Sequence, residues 1–311
     1  MKLRKRPAVY KSISLLLLLF VWQKVRGAAC CGGASNIPTL LTGDDRLQLT
    51  ASVSSGEVVA EATTQGNVLY RAYTDEEFRQ SVQLDGAVLL SDRFQLGWSL
   101  PLLRRSRSRN GVSEAAAGLG DVSASLAYEL LPQWEYSPWQ PKVFVFASLT
   151  LPTGGSTYDS ATLYRVDSRG RGFVTPSIGI AALQIWGDFD ALISLEGHHS
   201  LARDYANAAG TFHLQPGWGA SGSIGAGWNP GNLRVGLSVS PQWEEGVLTT
   251  GAVNGLASSQ QTWTASAQLS YLFESTLSAS LIYSDQTWLG GAQNSALNRS
   301  LFVRIQKRWE R

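Results

Sequence analysis

The sequence predicts an all-β fold, an antiparallel transmembrane β-barrel of about 12 strands within a range of 10 to 14. Three observations predict it. Past residue 45, apolar and polar side chains alternate with a period of two, the period of a strand whose two faces differ. The connections between these segments are short and long in turn. Charged residues are only 16% of the 311, low for a soluble domain, whereas Trp numbers 11.

Residues 1–29 have the pattern of a signal peptide. A basic stretch, Lys2–Lys11, precedes an apolar core, and Gly27, Ala28 and Ala29 supply small residues for cleavage. The longest apolar run, residues 15–22, has eight residues, whereas a membrane-spanning helix needs about 18 or more. We therefore expect residues 1–29 to be removed, so that the mature chain begins near Cys30.

Cys30 is a candidate for lipidation, which would tether the mature N-terminus. Against this, Gly27 stands where a lipoprotein signal usually carries a leucine-like residue. Residues 30–46 do not alternate like a membrane strand. We expect them to form a periplasmic N-terminal segment or a plug inside the barrel, which itself spans residues 47–311.

The charge balance argues against nucleic acid as a partner. The chain has a formal charge of +2, but residues 1–29 contribute seven basic residues and no acid. The remainder is mildly acidic and lacks the basic surface that binds a phosphate backbone.

Twelve segments carry the alternation. In one of them, Leu233, Val235, Leu237 and Val239 are separated by small or polar residues, so the apolar side chains share one face. The twelve predicted strands are 47–56, 80–91, 93–105, 118–130, 141–152, 171–186, 188–203, 211–228, 232–245, 260–274, 276–287 and 298–309.

The connections between these strands have two lengths. Alternate links are tight, as at Gly187–Asp188 and Asn229–Gly231, and only Leu131–Gln140 departs from this. The other links are long and rich in Gly, Ser, Asn and Arg. Outer-membrane barrels of Gram-negative bacteria have short periplasmic turns and long external loops, and an even strand count places both termini in the periplasm. A strict alternation of short and long loops is not a feature expected of a soluble β-sandwich.

Aromatic residues recur near the predicted strand ends, as expected for belts at the two lipid–water interfaces. The last strand has outward Leu301, Val303 and Ile305 and ends near Trp309. Barrels that the outer-membrane assembly machinery recognises usually end on an aromatic residue, so we expect this machinery to be a partner.

Three Gly-rich motifs, Gly118–Val122, Ser148–Gly154 and Gly172–Ser177, resemble the bacterial outer-membrane family named for the meta-pathway of phenol degradation. Cys30–Gly33 and Leu41–Arg46 are similar to uncharacterised barrels of that general kind. The resemblance covers about residues 30–309. The resemblance implies a channel for small, often aromatic or hydrophobic compounds. It does not identify a substrate or a binding residue of this chain.

The alternation also predicts which polar side chains face the lumen. Phe189, Ile193 and Leu195 set the lipid face of their strand, so that the intervening residues point inward. The same argument places charges of both signs along the pore wall. The candidate pore-lining residues are Asp85, Glu129, Asp190, Glu196, His198, His213, Arg234, Arg304 and Arg308.

His198 and Ser200 permit a second interpretation. Residues two apart share a strand face, so His198 could activate Ser200 as the nucleophile of a lipid or ester hydrolase. Against this, the predicted phase points both side chains away from lipid. A further alternative is a weak metal or ligand site formed by Glu196, His198 and His213.

Four arginines, Arg104, Arg105, Arg107 and Arg109, cluster where an external loop is expected. Because arginine pairs with phosphate in a bidentate manner, we expect lipopolysaccharide as their partner. A solvated loop would explain them equally well.

These patterns lead to one functional hypothesis and two alternatives. No nucleotide, zinc or other cofactor motif occurs, so neither a cofactor nor a metal is expected. The main hypothesis is an outer-membrane channel for passive passage of small solutes, gated by the N-terminal segment or by the loop Thr153–Gly170. The alternatives are the hydrolase and a closed structural or surface-interaction barrel. The oligomeric state is not fixed by the sequence.

Overall fold

The computed structural model describes residues 38–43, 45–133, 137–207, 210–252 and 254–310. Twelve long strands lie side by side in one antiparallel sheet. They are β1 (Asp45–Ala62), β3 (Asp75–Leu89), β4 (Phe94–Arg109), β6 (Val122–Leu131), β7 (Lys142–Leu151), β8 (Thr175–Trp186), β9 (Phe189–His199), β12 (Trp218–Trp228), β13 (Leu233–Glu244), β16 (Gln260–Glu274), β17 (Leu277–Asp285) and β18 (Ser295–Glu310).

The sheet closes on itself into a barrel. The last strand, β18, pairs with β1 in a register that runs from Asp45 opposite Glu310 to Ala62 opposite Ser295. Closure leaves no open sheet edge, which is the condition for a sheet to cross a membrane. The predicted fold class is therefore confirmed, and each of the twelve predicted segments overlaps one barrel strand.

The two ends of the barrel differ. Links β3–β4, β8–β9, β12–β13 and β16–β17 are tight, and the link β6–β7 is ten residues long. We call this the short-turn end; both β1 and β18 have their outer termini there, because Asp45 pairs with Glu310. The opposite, long-loop end carries all the longer connections.

Six short strands extend the long-loop end, and the sequence did not predict them as separate elements. β2 pairs with β1, β5 pairs with β4, and the other four form a separate sheet in the order β10-β11-β14-β15. The six are β2 (Val68–Tyr70), β5 (Val112–Leu119), β10 (Arg203–Asn207), β11 (Gly210–Gln215), β14 (Leu248–Gly251) and β15 (Gly255–Leu256).

One predicted segment is divided. Residues 211–228 were expected to form a single strand, but Pro216 and Gly217 separate β11 from β12, and the two strands belong to different sheets. Proline cannot donate a hydrogen bond to a sheet ladder, which explains the break.

The outer and inner faces of the barrel have opposite polarity. Large apolar side chains are exposed all around the outside, with Ile178 at 71% and Leu237 at 67%. Aromatic rings lie near both ends of this surface: Trp186, Trp228 and Trp309 at the short-turn end and others at the long-loop end. An exposed apolar surface of this extent is stable only in contact with lipid.

Within the described residues, no helix is long and apolar enough to span a membrane. The predicted signal peptide, residues 1–29, and the lipidation candidate Cys30 lie outside the described residues.

Candidate functional site

The barrel encloses a cavity of about 390 Å³. Its wall is made mostly of serine, threonine and glutamine side chains from the inward faces of the strands. Charged side chains are few, and they comprise Asp85, Glu196, Arg171 and Arg304, with His198 beside them. The cavity is therefore hydrophilic but nearly neutral.

The N-terminal segment enters the cavity from the short-turn end. Pro38, Thr39 and Leu40 line it, and Leu40 packs against an inward-facing apolar cluster of Ala127, Phe146 and Ala181. These contacts place residues 38–40 inside the barrel.

Polar contacts hold the same segment in place. The Leu41 amide donates to Gln95 Oε1 at 2.5 Å, and Gln95 Nε2 lies 3.5 Å from the Leu41 carbonyl. Lys142 Nζ donates to the Thr42 carbonyl at 3.0 Å. Leu41 is buried, so residues 38–42 narrow the lumen on the side of β4, β6 and β7.

Two ion pairs lie inside the short-turn end. Asp190 on β9 accepts hydrogen bonds from Arg234 on β13 and from Asn229. Arg308 on β18 lies 3.5 Å from Asp45 and donates to the Ser275 carbonyl at 2.6 Å. The first pair joins β9 to β13, and the second joins β18 to β1 and to the β16–β17 turn. Both pairs therefore stabilise this end of the barrel.

A second polar cluster lies at the long-loop end of the lumen. His198 Nε2 lies 3.0 Å from Glu244 Oε2 and 2.9 Å from Arg171 Nη1. Arg171 also pairs with Glu244 at 2.5 Å. The His198–Glu244 contact crosses over Gly219 of β12, where a Cβ would overlap both side chains. The cluster links β9, β13 and the segment that leads into β8.

The structure places the predicted pore-lining residues, apart from His213, in two groups. Asp85, Glu196, His198 and Arg304 line the cavity. Nearer the short-turn end lie Asp190, Arg234, Arg308 and Glu129, which follow the inward alternation of their strands.

His213 requires a correction. It lies on β11 in the separate four-stranded sheet, where its Nδ1 is 2.7 Å from Asp204, and it is not among the residues that line the cavity. The ligand site expected from Glu196, His198 and His213 is therefore not assembled. Among the described residues, no group of three or more His, Cys, Asp and Glu side chains is arranged to hold a metal.

His198 lies on β9 and Ser200 lies one residue past the end of that strand, and the two side chains have different partners. Ser200 Oγ lies 2.7 Å from Thr175 Oγ1, whereas the His198 ring is engaged by Glu244 and Arg171. A nucleophile and its base need a mutual hydrogen bond, and the described contacts contain none between these two side chains.

The four clustered arginines point to two sides of β4. Arg104 is exposed on the outer side, just beyond the apolar Leu102. Arg105, Arg107 and Arg109 have the opposite phase. Arg107 forms two hydrogen bonds of 2.9 Å with Asp75, and Arg109 lies 3.7 Å from the same carboxylate.

The loop 152–174 is fixed over the long-loop end. Asp121 accepts from the amides of Gly154 at 3.0 Å and Arg171 at 2.7 Å, so one carboxylate clamps both ends of the loop. Glu114 on β5 accepts from the amides of Leu163 and Tyr164.

Asp167 organises the centre of this loop. It accepts hydrogen bonds from the hydroxyls of Ser160 and Thr162 and from the Ala161 amide. Burial raises the pKa of the Asp167 carboxyl, but these hydrogen bonds outweigh burial and lower its pKa to about 2. The loop therefore depends on an ionised carboxylate.

Sequence reasoning missed two members of the polar cluster at the long-loop end of the lumen, Arg171 and Glu244. Arg171 was included in a predicted strand but precedes β8, and Glu244 was not singled out although it is inward by the alternation of β13. The signal for Glu244 was present, because it shares the phase of Arg234.

No protein-family model and no curated protein matches the chain. Among solved structures it is similar to the COG4313 outer membrane channel from Pseudomonas putida F1, with a TM-score of 0.66 and 14% identity over 89% of this chain and 99% of that one. This likeness shows the fold of an outer-membrane β-barrel, which agrees with the resemblance found in the sequence.

Two more distant likenesses exist. The transport unit of the autotransporter AIDA-I from Escherichia coli has a TM-score of 0.47 at 9% identity, covering 97% of each chain. The toluene transporter TodX from P. putida has a TM-score of 0.39 at 7% identity, over 86% of this chain and 91% of that one.

Proposed function

We propose that the protein is an outer-membrane channel through which small molecules pass by diffusion along the lumen. The observation that carries the proposal is a closed barrel with a lipid-compatible outer face and a hydrophilic cavity of about 390 Å³. The shared fold with a solved outer membrane channel supports it. A solute that enters would replace its hydrogen bonds to water by hydrogen bonds to wall hydroxyls, so the free-energy cost of entry would be small.

The proposed orientation places the short-turn end and both termini in the periplasm. The position of Asp45 opposite Glu310 supports this, because both termini lie at the end with tight connections. The last strand exposes Leu301, Val303 and Ile305, a surface suited to the barrel-assembly machinery. Residues 1–29 would be the signal peptide that directs export.

The N-terminal segment is the proposed gate. Residues 38–42 already contact Gln95 and Lys142 inside the lumen. Residues 38–43, the described part of this segment, are held by a few hydrogen bonds and one leucine contact rather than by strand pairing, so their release would widen the path at a modest cost in free energy.

Arg104 is the proposed contact for lipopolysaccharide phosphate. Of the four clustered arginines it alone is exposed on the outer side of β4, next to the apolar belt. Lipopolysaccharide should protect barrels against unfolding less in Arg104→Ala than in wild type. Equal protection in both would contradict this contact.

Single-channel recording tests the proposed function. Refolded mature protein in a planar bilayer should give discrete current steps. Silence after verified barrel refolding, both in the full mature chain and after removal of residues 30–43, would favour a closed structural barrel and contradict the proposal.

A further inference from the structure

Two rows of serines face each other across the lumen. Ser125, Ser148 and Ser177 are cross-strand neighbours on β6, β7 and β8. Ser266, Ser284 and Ser300 are cross-strand neighbours on β16, β17 and β18. All six line the cavity. In the order of the closed barrel, each strand of the first row is six positions from its counterpart in the second, and in a ring of twelve this is the opposite wall.

Within the part of the chain that the structure describes, the hydroxyls of the second row have no protein partner. Ser266, Ser284 and Ser300 are 7%, 8% and 7% exposed, and within the described residues their side chains form no hydrogen bond. In the first row, Ser148 and Ser177 bond to each other, while Ser125 is 7% exposed and likewise has no side-chain partner among the described residues. These hydroxyls therefore face the cavity, where either water or a solute can be their hydrogen-bond partner.

The charges of the cavity favour ions of neither sign. Its wall carries two carboxylates, Asp85 and Glu196, and two guanidinium groups, Arg171 and Arg304. Glu244 pairs with Arg171 and His198 beside this wall, so the charges are of mixed sign. A wall of mixed sign gives neither cations nor anions the electrostatic advantage that a ring of one sign would give.

From this geometry we propose that the solute is an uncharged, polyhydroxylated small molecule of the size of a simple sugar or polyol, bound between the two serine rows. This inference rests on the proposed function and names its substrate class. A serine hydroxyl both donates and accepts, so it matches a sugar hydroxyl in either orientation. A purely apolar solute would displace water from the wall hydroxyls without replacing its hydrogen bonds, at a cost in free energy. The cavity volume lies within the roughly 300–1,000 Å³ of small-molecule sites.

Binding can be measured independently of transport. Full mature protein refolded in detergent is titrated with arabinose, and isothermal titration calorimetry measures the binding. We expect saturable binding of arabinose. Triethylene glycol, uncharged and similar in mass but with fewer hydroxyls, should bind more weakly, and so should gluconate and glucosamine, which are charged.

Three variants assign the binding to the serine row. The triple variant Ser266→Ala, Ser284→Ala and Ser300→Ala should weaken arabinose binding by at least about tenfold, because three hydrogen bonds are lost. Ser284→Thr, which keeps the hydroxyl, should bind nearly as wild type. Ser55→Ala, on the exposed outer side of β1, should bind unchanged.

The outcomes separate this inference from the proposed function. Absence of saturable binding, or equal binding of arabinose and triethylene glycol, would overturn the substrate class even if current steps are observed. Unchanged arabinose binding in the triple alanine variant would overturn the serine-row site. Saturable binding without current steps would support the site and contradict the channel.

Discussion

Arg234 on β13 reaches across the intervening strand β12 to bind Asp190 on β9. The guanidinium donates two hydrogen bonds of 2.7 and 2.8 Å to the carboxylate. Gly227 of β12 lies beneath this bridge, and a Cβ there would be 2.6 Å from Arg234 Nε. The Asp190 side chain is 1% exposed. The bridge therefore joins β9 to β13 over β12 through a buried carboxylate. It forms because residue 227 has no side chain.

Gly227→Ala should destabilise the barrel by about 1–3 kcal/mol, because the added methyl group forces the guanidinium away from Asp190. Urea unfolding of the refolded barrel in lipid measures this free energy. Gly197→Ala is the matched control, since a Cβ there meets nothing within 4 Å. Equal stability of the two variants would show that the bridge does not depend on Gly227.

Gln95→Ala should increase the fraction of time that the channel conducts. The variant removes both hydrogen bonds to Leu41, and a loss of about 1 kcal/mol shifts a closed–open equilibrium by about fivefold. Single-channel recordings give the open fraction directly. Gln83→Ala is the control, because Gln83 lines the same cavity but bonds to Asp85 and Ser99 rather than to the N-terminal segment. A similar increase in both variants would contradict the gate.

Arg304→Gln and Glu196→Gln should change ion selectivity in opposite directions. Removal of the positive charge favours cations, and removal of the negative charge favours anions. A unit charge a few ångströms from an ion in water contributes about 1 kcal/mol, so the permeability ratio should change by about two- to fivefold. Reversal potentials in a salt gradient measure it. Glu57→Gln, on the exposed outer side of β1, should leave the ratio unchanged.

The loop 152–174 should lose protection in strong acid. The folded-state pKa of Asp167 is about 2, below the ordinary value of 3.8. The stability that this carboxylate gives the loop is therefore fully present above about pH 4 and is lost as the pH falls towards 2. Hydrogen exchange of this segment, corrected for the intrinsic rate, should show equal protection at pH 7 and pH 5 and less at pH 2.5. Asp167→Asn should already lack this contribution at pH 7, and full protection in that variant would contradict the assignment.

The barrel could be predicted from the sequence because its strands have two chemically different faces. Leu233 to Val239 alternate with small or polar residues, and the structure exposes Val235 and Leu237 on the outside as that pattern requires. Tight turns such as Gly187–Asp188 fixed the strand count, since they leave no room for other structure.

The parts of the structure that could not be predicted lie where neither face of a strand contacts lipid. β10 and β11 stand in a separate sheet, so the alternation around His213 carries no information about the lumen. The bridges over Gly219 and Gly227 join β9 to β13, which are not neighbours in the barrel, and a strand-by-strand pattern contains no signal for such pairs. The serine rows were visible only as polar faces; their facing arrangement follows from closure of the sheet.

The central claim, that the lumen is the path of permeation, is tested most directly by a thiol block. In a background with Cys30 and Cys31 replaced by alanine, Ser266→Cys places a thiol on the cavity wall, whereas Ala267→Cys places one on the opposite face of the same strand. A bulky methanethiosulfonate reagent should abolish most of the current through the Ser266→Cys channel and leave the Ala267→Cys channel unaffected. Unchanged current in the modified Ser266→Cys protein, or equal block in both, would contradict permeation through the lumen.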